Sequence, residues 1–147
     1  MRENSPLLVI EDSDDDFAIL ATCLKSVGVS NRLIRCASGE ETRTFLQTID
    51  SLPLAQRPCF VFIDLNLPGT HGSEVLKELK AHAILAPIPA VVLTTSSRPS
   101  DVDEAYKNGA AGFLSKPIDL ENFEKMVQQV AEYWFACVKL PTAATHA

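Results

Sequence analysis

The sequence predicts an α/β layer fold built on a parallel sheet, and three observations carry that prediction. Strand-like and helix-like segments alternate five times along 147 residues, the pattern of strands joined by crossover helices. Two of the strand-like runs, Leu7-Leu8-Val9-Ile10 and Cys59-Phe60-Val61-Phe62-Ile63, are apolar throughout rather than alternating. A strand covered on both faces reads this way. Both runs end in acids, Glu11-Asp12 and Asp64, at the sheet edge where ligands bind in open α/β folds.

Each element then follows in order. The first helix starts near Asp14, with acids in its first turn where the helix dipole favours them. Phe17, Leu20, Leu24 and Val27 recur on its inner side, and Gly28 is placed to end it. Arg32 to Cys36 reads as a second strand. Ser38 can cap a second helix, with Glu41 three residues on and Phe45, Leu46 and Ile49 facing inward. A polar, proline-bearing connection over 50–58 leads to the third strand. Leu65-Asn66-Leu67-Pro68-Gly69 is turn chemistry, and Gly72 opens a third helix bearing Val75, Leu76 and Leu79. Ala90 to Thr94 is the fourth strand, and Pro99 suits the first turn of a fourth helix that closes at Asn108-Gly109. Gly112 to Ser115 is a short fifth strand ending at Lys116-Pro117. The last helix runs from about Asp119 to Phe135 on a stripe of Leu120, Phe123, Val127, Val130 and Trp134. One domain is expected over 6–136, with a short tail, 137–147, expected to be disordered.

Composition narrows the function. Hydrophobic residues at 46% and charged residues at 22% are those of a soluble globular chain. No apolar run approaches the roughly 20 residues that span a bilayer, and the first six residues lack an apolar signal core. The expectation is a cytoplasmic protein without a membrane partner. A net charge of -6 argues against nucleic acid as a direct partner. Cys23, Cys36, Cys59 and Cys137 form no C-x-x-C pair and stand at no metal-ligand spacing from a histidine. Three read as small buried apolar residues and one as a tail residue. His71, His82 and His146 read as surface residues rather than catalytic bases.

The chemistry gathers at the strand exits. Three like charges brought to one edge repel unless a cation sits among them. Thr94 and Lys116 end the fourth and fifth strands, adding a hydroxyl and an ammonium. Acids for a hard cation, a hydroxyl and an ammonium make a phosphate site with unusually many acids. The excess makes sense if one carboxylate is itself the attachment point for the phosphoryl group.

These residues resemble a response-regulator receiver domain over roughly residues 6 to 135. The resemblance rests on Glu11-Asp12, on Asp64-Leu65-Asn66-Leu67-Pro68-Gly69 with Gly72, on Leu93-Thr94 and on Lys116-Pro117. The thirty residues from Asp64 to Thr94 and twenty-two from Thr94 to Lys116 are also as in that family. It implies a doubly wound, flavodoxin-like sheet of five parallel strands in the order 2-1-3-4-5. It implies that Asp64 accepts a phosphoryl group from the phosphohistidine of a sensor kinase, and that the chain is not an enzyme beyond assisting its own phosphorylation and dephosphorylation. Mg²⁺ would be held by Glu11, Asp12, Asp64 and the backbone carbonyl of Asn66, with Mn²⁺ or Ca²⁺ as substitutes. No organic cofactor is implied. Lys116 and Thr94 would contact phosphoryl oxygens, and Thr94 with Phe113 would form the switch. The Lys116-Pro117 peptide would be cis. Asn66, Thr95 and Ser96 would tune the lifetime of the phosphorylated state.

Tyr133-Trp134-Phe135, the long 50–58 connection and Thr94-Thr95-Ser96-Ser97 further resemble the single-domain regulators of cyanobacterial and bacterial phytochromes. That implies a phytochrome kinase as partner and a homodimer through the face of the fourth helix, fifth strand and fifth helix. Output by contact with a downstream protein is expected, since about a dozen residues follow the last helix. Three consecutive aromatics cannot all face one side of a helix, so at least one should be exposed. Two rivals stand beside this reading. A metal-dependent aspartyl-phosphate hydrolase would use Asp12-Ser13-Asp14 as a D-x-D motif, and a pseudo-receiver would bind partners without phosphorylation. Asp14, Asp15 and Asp16 read as an acidic helix start. A calcium loop there would need Gly in place of Phe17 and Glu in place of Cys23.

Overall fold

The structure, a computed structural model, describes residues 5–141. Five strands, β1 (Leu7–Ile10), β2 (Leu33–Cys36), β3 (Phe60–Ile63), β4 (Ala90–Thr94) and β5 (Gly112–Ser115), form one parallel sheet in the order β2-β1-β3-β4-β5. The helices are α1 (Asp14–Ser26), α2 (Gly39–Thr48), α3 (Gly72–Ala81), α4 (Pro99–Lys107) and α5 (Leu120–Val130). The flavodoxin-like arrangement and the strand order are those expected from the sequence.

Alternation along the strands divides the core into two layers. Leu7, Val9, Phe60, Phe62, Val91 and Leu93 pack with α1 and α5, chiefly with Leu20, Cys23, Leu24, Phe123 and Val127. Leu8, Ile10, Val61, Ile63 and Val92 pack on the opposite face with Val75, Leu76 and Leu79 of α3 and Ala105 of α4. β1 and β3 are buried on both sides, which is why their sequences are unbroken apolar runs. Their acids emerge together because the register pairs Ile10 with Ile63, so Glu11 and Asp64 leave the sheet side by side.

Local signals explain the boundaries. Ser13 accepts from the Asp16 N–H and Ser38 from the Glu41 N–H, capping α1 and α2. The Glu41 carboxylate reaches back to the Ala37 N–H. Gly28 ends the α1 region with φ of 91°. The 50–58 connection is ordered by two 3₁₀ turns, Ile49–Ser51 and Leu54–Gln56, and by Arg57 donating to the carbonyls of Leu52 and Asp50. Cys23, Cys36 and Cys59 are buried and Cys137 exposed, none of the four in a disulfide.

The end of the last helix differs from expectation. α5 gives way after Val130 to a π-helical turn, Ala131–Cys137, closed by the Val138 N–H donating to the Tyr133 carbonyl. The wider turn brings neighbouring side chains closer in angle. Trp134 and Phe135 can then both pack at steep angles against the Phe60 ring, with centroids 5.4 and 5.0 Å away. Tyr133 is left exposed. The tail expected to be disordered lies, from residue 142 on, outside the described residues, as does His146. Among the described residues no helix is long and apolar enough to cross a membrane.

Candidate functional site

The β1, β3 and β5 exits converge on one ammonium group. Lys116 Nζ donates to Glu11 Oε1 at 2.5 Å, to Asp64 Oδ2 at 2.7 Å and to Asp16 Oδ2 at 2.8 Å. Its side chain is only 7% exposed. An ammonium has three donors, and each is satisfied by a different carboxylate. Oxygens of Glu11, Asp16 and Asp64 all lie within 4.8 Å of one another.

Two of the three carboxylates are further fixed by backbone. Asp64 Oδ1 accepts from the Asn66 N–H at 3.0 Å, and Glu11 Oε2 accepts from the Ser13 N–H at 3.2 Å. Burial alone would raise the Asp64 pKa, but the hydrogen bonds from Asn66, Lys116 and Thr94, with the Lys116 charge, outweigh it and hold it below the usual aspartate value. Glu11 goes the other way: burial and the nearby Asp64 charge push it up to about 7 despite Lys116. The two acids part because burial wins at Glu11, where only Lys116 and one backbone N–H oppose it, and loses at Asp64, where more hydrogen bonds hold the charge. Lys116 is desolvated too, but its three acidic partners raise its pKa well above that of free lysine.

Asp16 belongs to this cluster, and sequence reasoning assigned it only to an acidic helix start. A usable signal existed: it stands four residues before the buried Leu20, so helical spacing puts it on the inward side of α1. Asp12 is placed differently. It is exposed and its carboxylate is not in the trio. Asp14 is also exposed, paired with Arg35 at 2.7 Å, so Asp12-Ser13-Asp14 forms no converging D-x-D pair.

The other expected residues line the same edge. Thr94 is fully buried and accepts from Asn66 Nδ2 at 3.4 Å, while the exposed Thr95 accepts from the same amide at 3.2 Å. Ser96 donates to Asp101 at 2.5 Å. Phe113 is half-buried against the α3–α4 layer. The Lys116-Pro117 peptide is trans, as are all peptide bonds among the described residues, which corrects the expectation of a cis bond. Proline brings the cis form within about 0.5–1 kcal/mol of trans but does not require it.

The donor set fits a small divalent cation. Carboxylate oxygens from separate elements, with no thiolate or imidazole in the cluster, suit Mg²⁺ or Mn²⁺ rather than a thiophilic metal. That one ammonium engages all three acids shows how strongly the cluster calls for positive charge.

Comparison with known proteins agrees with this geometry. The sequence model of the response regulator receiver domain matches residues 7–128. The response regulator Rcp1 of Synechocystis sp. is 36% identical over 137 residues, 93% of either chain. The Mn²⁺-bound crystal form of Rcp1 superposes with a TM-score of 0.82, covering 92% of this chain and 98% of that one. The phosphorylated cyanobacterial phytochrome response regulator RcpA superposes with a TM-score of 0.84 at 29% identity, covering 92% and 97%.

Proposed function

Because the chain belongs to the response regulator receiver family, we propose that it accepts a phosphoryl group on Asp64 from a sensor histidine kinase and signals through protein contacts. The observation that carries this reading is the one buried ammonium shared by Glu11, Asp16 and Asp64 at the carboxyl edge of the sheet. In the transfer, an Asp64 oxygen forms a bond to phosphorus as the P–N bond to the donor imidazole breaks, and the imidazole leaves with that electron pair. Lys116 releases Asp64 to meet a phosphoryl oxygen, and Asp16, which neither the phosphoryl group nor the acid pair claims, keeps hold of it. Thr94 turns its hydroxyl to a second oxygen, and Phe113 fills the space that Thr94 leaves. Glu11, Asp12, Asp64 and the Asn66 carbonyl would hold a Mg²⁺ ion. When bound, the ion supplies charge neutralisation for attack by an anionic oxygen on an anionic phosphoryl group. Thr95, Ser96 and Asn66 border the same edge and set how readily water reaches the acyl phosphate.

The test is phosphoryl uptake from a small acyl-phosphate donor with Mg²⁺, followed by intact mass. Wild type should gain one phosphoryl group and lose the ability on chelation; Asp64→Asn should gain none. Uptake persisting in Asp64→Asn would overturn the assignment, and turnover of a phosphomonoester by that variant would favour the hydrolase reading. With Asp12 and Asp14 both exposed, that rival lacks its nucleophile pair.

The relative RcpA, a cyanobacterial phytochrome response regulator, supports a bacterial phytochrome as the kinase. The donor's docking rim is the apolar group beside Lys116: Ile118 is fully exposed, with Leu120 and Ile19 partly so, lining one cleft with Asp16 and Pro117. Ile118→Glu is expected to slow transfer from a phosphorylated kinase about tenfold, the cost of losing one interface anchor. The small donor should still load it at the wild-type rate. Equal kinase rates for variant and wild type would remove this rim from the interface.

A homodimer would use the β5 edge and α5, where Leu114, Met126, Tyr133 and Trp134 border an open apolar cleft. Molar mass in solution, measured with and without the phosphoryl group, tests that face; a monomer in both states would exclude it.

A further inference from the structure

Arg35 lies outside every role assigned above, yet its guanidinium reaches the backbone of the β1–α1 turn. The ladder between β1 and β2 ends where the Glu11 N–H donates to the Cys36 carbonyl. β2 ends at Cys36, and just beyond it the Ala37 N–H donates to the Glu41 carboxylate. Side-chain donors for the carbonyls of Glu11 and Asp12 come from Arg35. Its Nε donates to the Glu11 carbonyl at 3.1 Å and its Nη2 to the Asp12 carbonyl at 3.1 Å. Its Nη1 pairs with Asp14 Oδ1 at 2.7 Å, and the guanidinium carbon lies 5.0 Å from the centroid of the Phe17 ring. One planar group thus ties together β2, both residues of the acid pair and the first turn of α1.

We propose that Arg35 is a positioning residue for the divalent cation: its fork fixes the backbone at Glu11 and Asp12, and so the reach of both carboxylates. The proposal rests on the reading of this edge as a Mg²⁺-dependent phosphoacceptor. Two features of the geometry favour positioning over a purely electrostatic part. The contacts are to carbonyl oxygens, which set where the chain runs and carry no titratable charge. The Asp14 ion pair is on the solvent side, with Asp14 90% exposed, where it adds little energy but limits the rotation of the guanidinium. A lysine at this position keeps the charge and the stem, but it lacks a fork able to meet two carbonyls and a carboxylate in one plane.

Charge and position predict opposite signs. A cation near a metal site repels the metal, so if charge alone mattered, Arg35→Met would bind metal more tightly and Arg35→Lys would match wild type. If the fork positions the acid pair, both variants bind more weakly. The experiment is titration of the metal-free protein with Mn²⁺, read by calorimetry or by water-proton relaxation. Unfolding midpoints in chelator serve as a control for the fold. Arg35→Lys and Arg35→Met are both expected to weaken Mn²⁺ about tenfold, the usual cost of removing an outer support of a ligand. Asp14→Asn, which leaves the two carbonyl contacts in place, should weaken it less and serves where either Arg35 variant fails to fold. Wild-type affinity in Arg35→Lys, tighter binding in Arg35→Met, or an Asp14→Asn no weaker than wild type when the Arg35 variants are unfolded, would each overturn the proposal. Wild type binding no Mn²⁺ at all would instead overturn the phosphoacceptor reading beneath it.

Discussion

Gly72→Ala is expected to lower stability by about 3 kcal/mol, at the upper end of what overpacking costs, and to slow phosphorylation of Asp64. The reason is space rather than backbone angle. A β-carbon at position 72 would meet the Asp64 carbonyl oxygen and stand 2.5 Å from Leu65 Cα. Both obstacles are backbone, so no side chain can swing aside. The close approach exists because the chain between Asp64 and α3 folds back on itself, the Gly72 N–H donating to the Leu65 carbonyl at 2.8 Å. Relief must come by shifting either the start of α3 or the exit of β3, and the second moves Asp64 off Lys116. Gly69, three residues earlier, is the control. It has φ of 76° and nothing within 4 Å of its would-be β-carbon, so Gly69→Ala carries only the left-handed backbone penalty of about 1–2 kcal/mol. Thermal unfolding and phosphoryl uptake check both variants. Gly72→Ala melting with wild type, or falling no further than Gly69→Ala, would show that the loop can open without cost.

The fold was legible wherever burial leaves a pattern in residue type. β1 and β3 are covered on both faces and so are written as unbroken apolar runs; β4 likewise. The cap at Ser38 was legible because few residues accept from a free helix N–H. What could not be read was where polar side chains point. Asp16 looks the same in sequence whether it faces water or Lys116, since acids in a first turn are favoured by the dipole in either case. Nor does sequence show that, of the adjacent Glu11 and Asp12, Glu11 turns in to Lys116 while Asp12 stays exposed, since successive residues leaving a strand diverge. Arg35 shares a strand face with Leu33, which packs toward α1. An arginine on an inward face was the available clue to a long side chain reaching the edge. The isomer at Lys116-Pro117 is not encoded by the dipeptide. The change to a π-helix after Val130 depends on Phe60, seventy residues earlier, which no local window contains.

Lys116→Met should be the costliest single change at the site, and its cost should depend on pH and on metal. Glu11 and Asp64 are each about 5% exposed, and removing the ammonium strands both; breaking a buried ion pair from one side costs about 3–5 kcal/mol. The pH dependence follows from the direction of the Glu11 shift. Burial and then the Asp64 charge, working against Lys116, already carry its folded pKa from 4.5 to about 7. Between those values the folded state holds a proton that the unfolded state has released, so the metal-free protein loses stability as pH rises through that window. Without Lys116 the contributions that hold Glu11 and Asp64 down vanish. Both pKa values move up, and the loss on raising pH becomes steeper. The Asp64 contribution also reverses: a carboxylate held low in the wild type is stabilising above its unfolded value, and one pushed high is not. In chelator the gap between Lys116→Met and wild type should therefore be widest near about pH 7.5 and narrow toward about pH 5, where the stranded acids take up protons. Added Mg²⁺ should also narrow it, because an ion bound only by the folded state stabilises it by mass action. Urea unfolding followed by Trp134 fluorescence measures all of these. A variant as stable as wild type in chelator at the higher pH would show that the three acids do not need the ammonium. A gap of constant size across pH would show that the loss comes from packing rather than from charge.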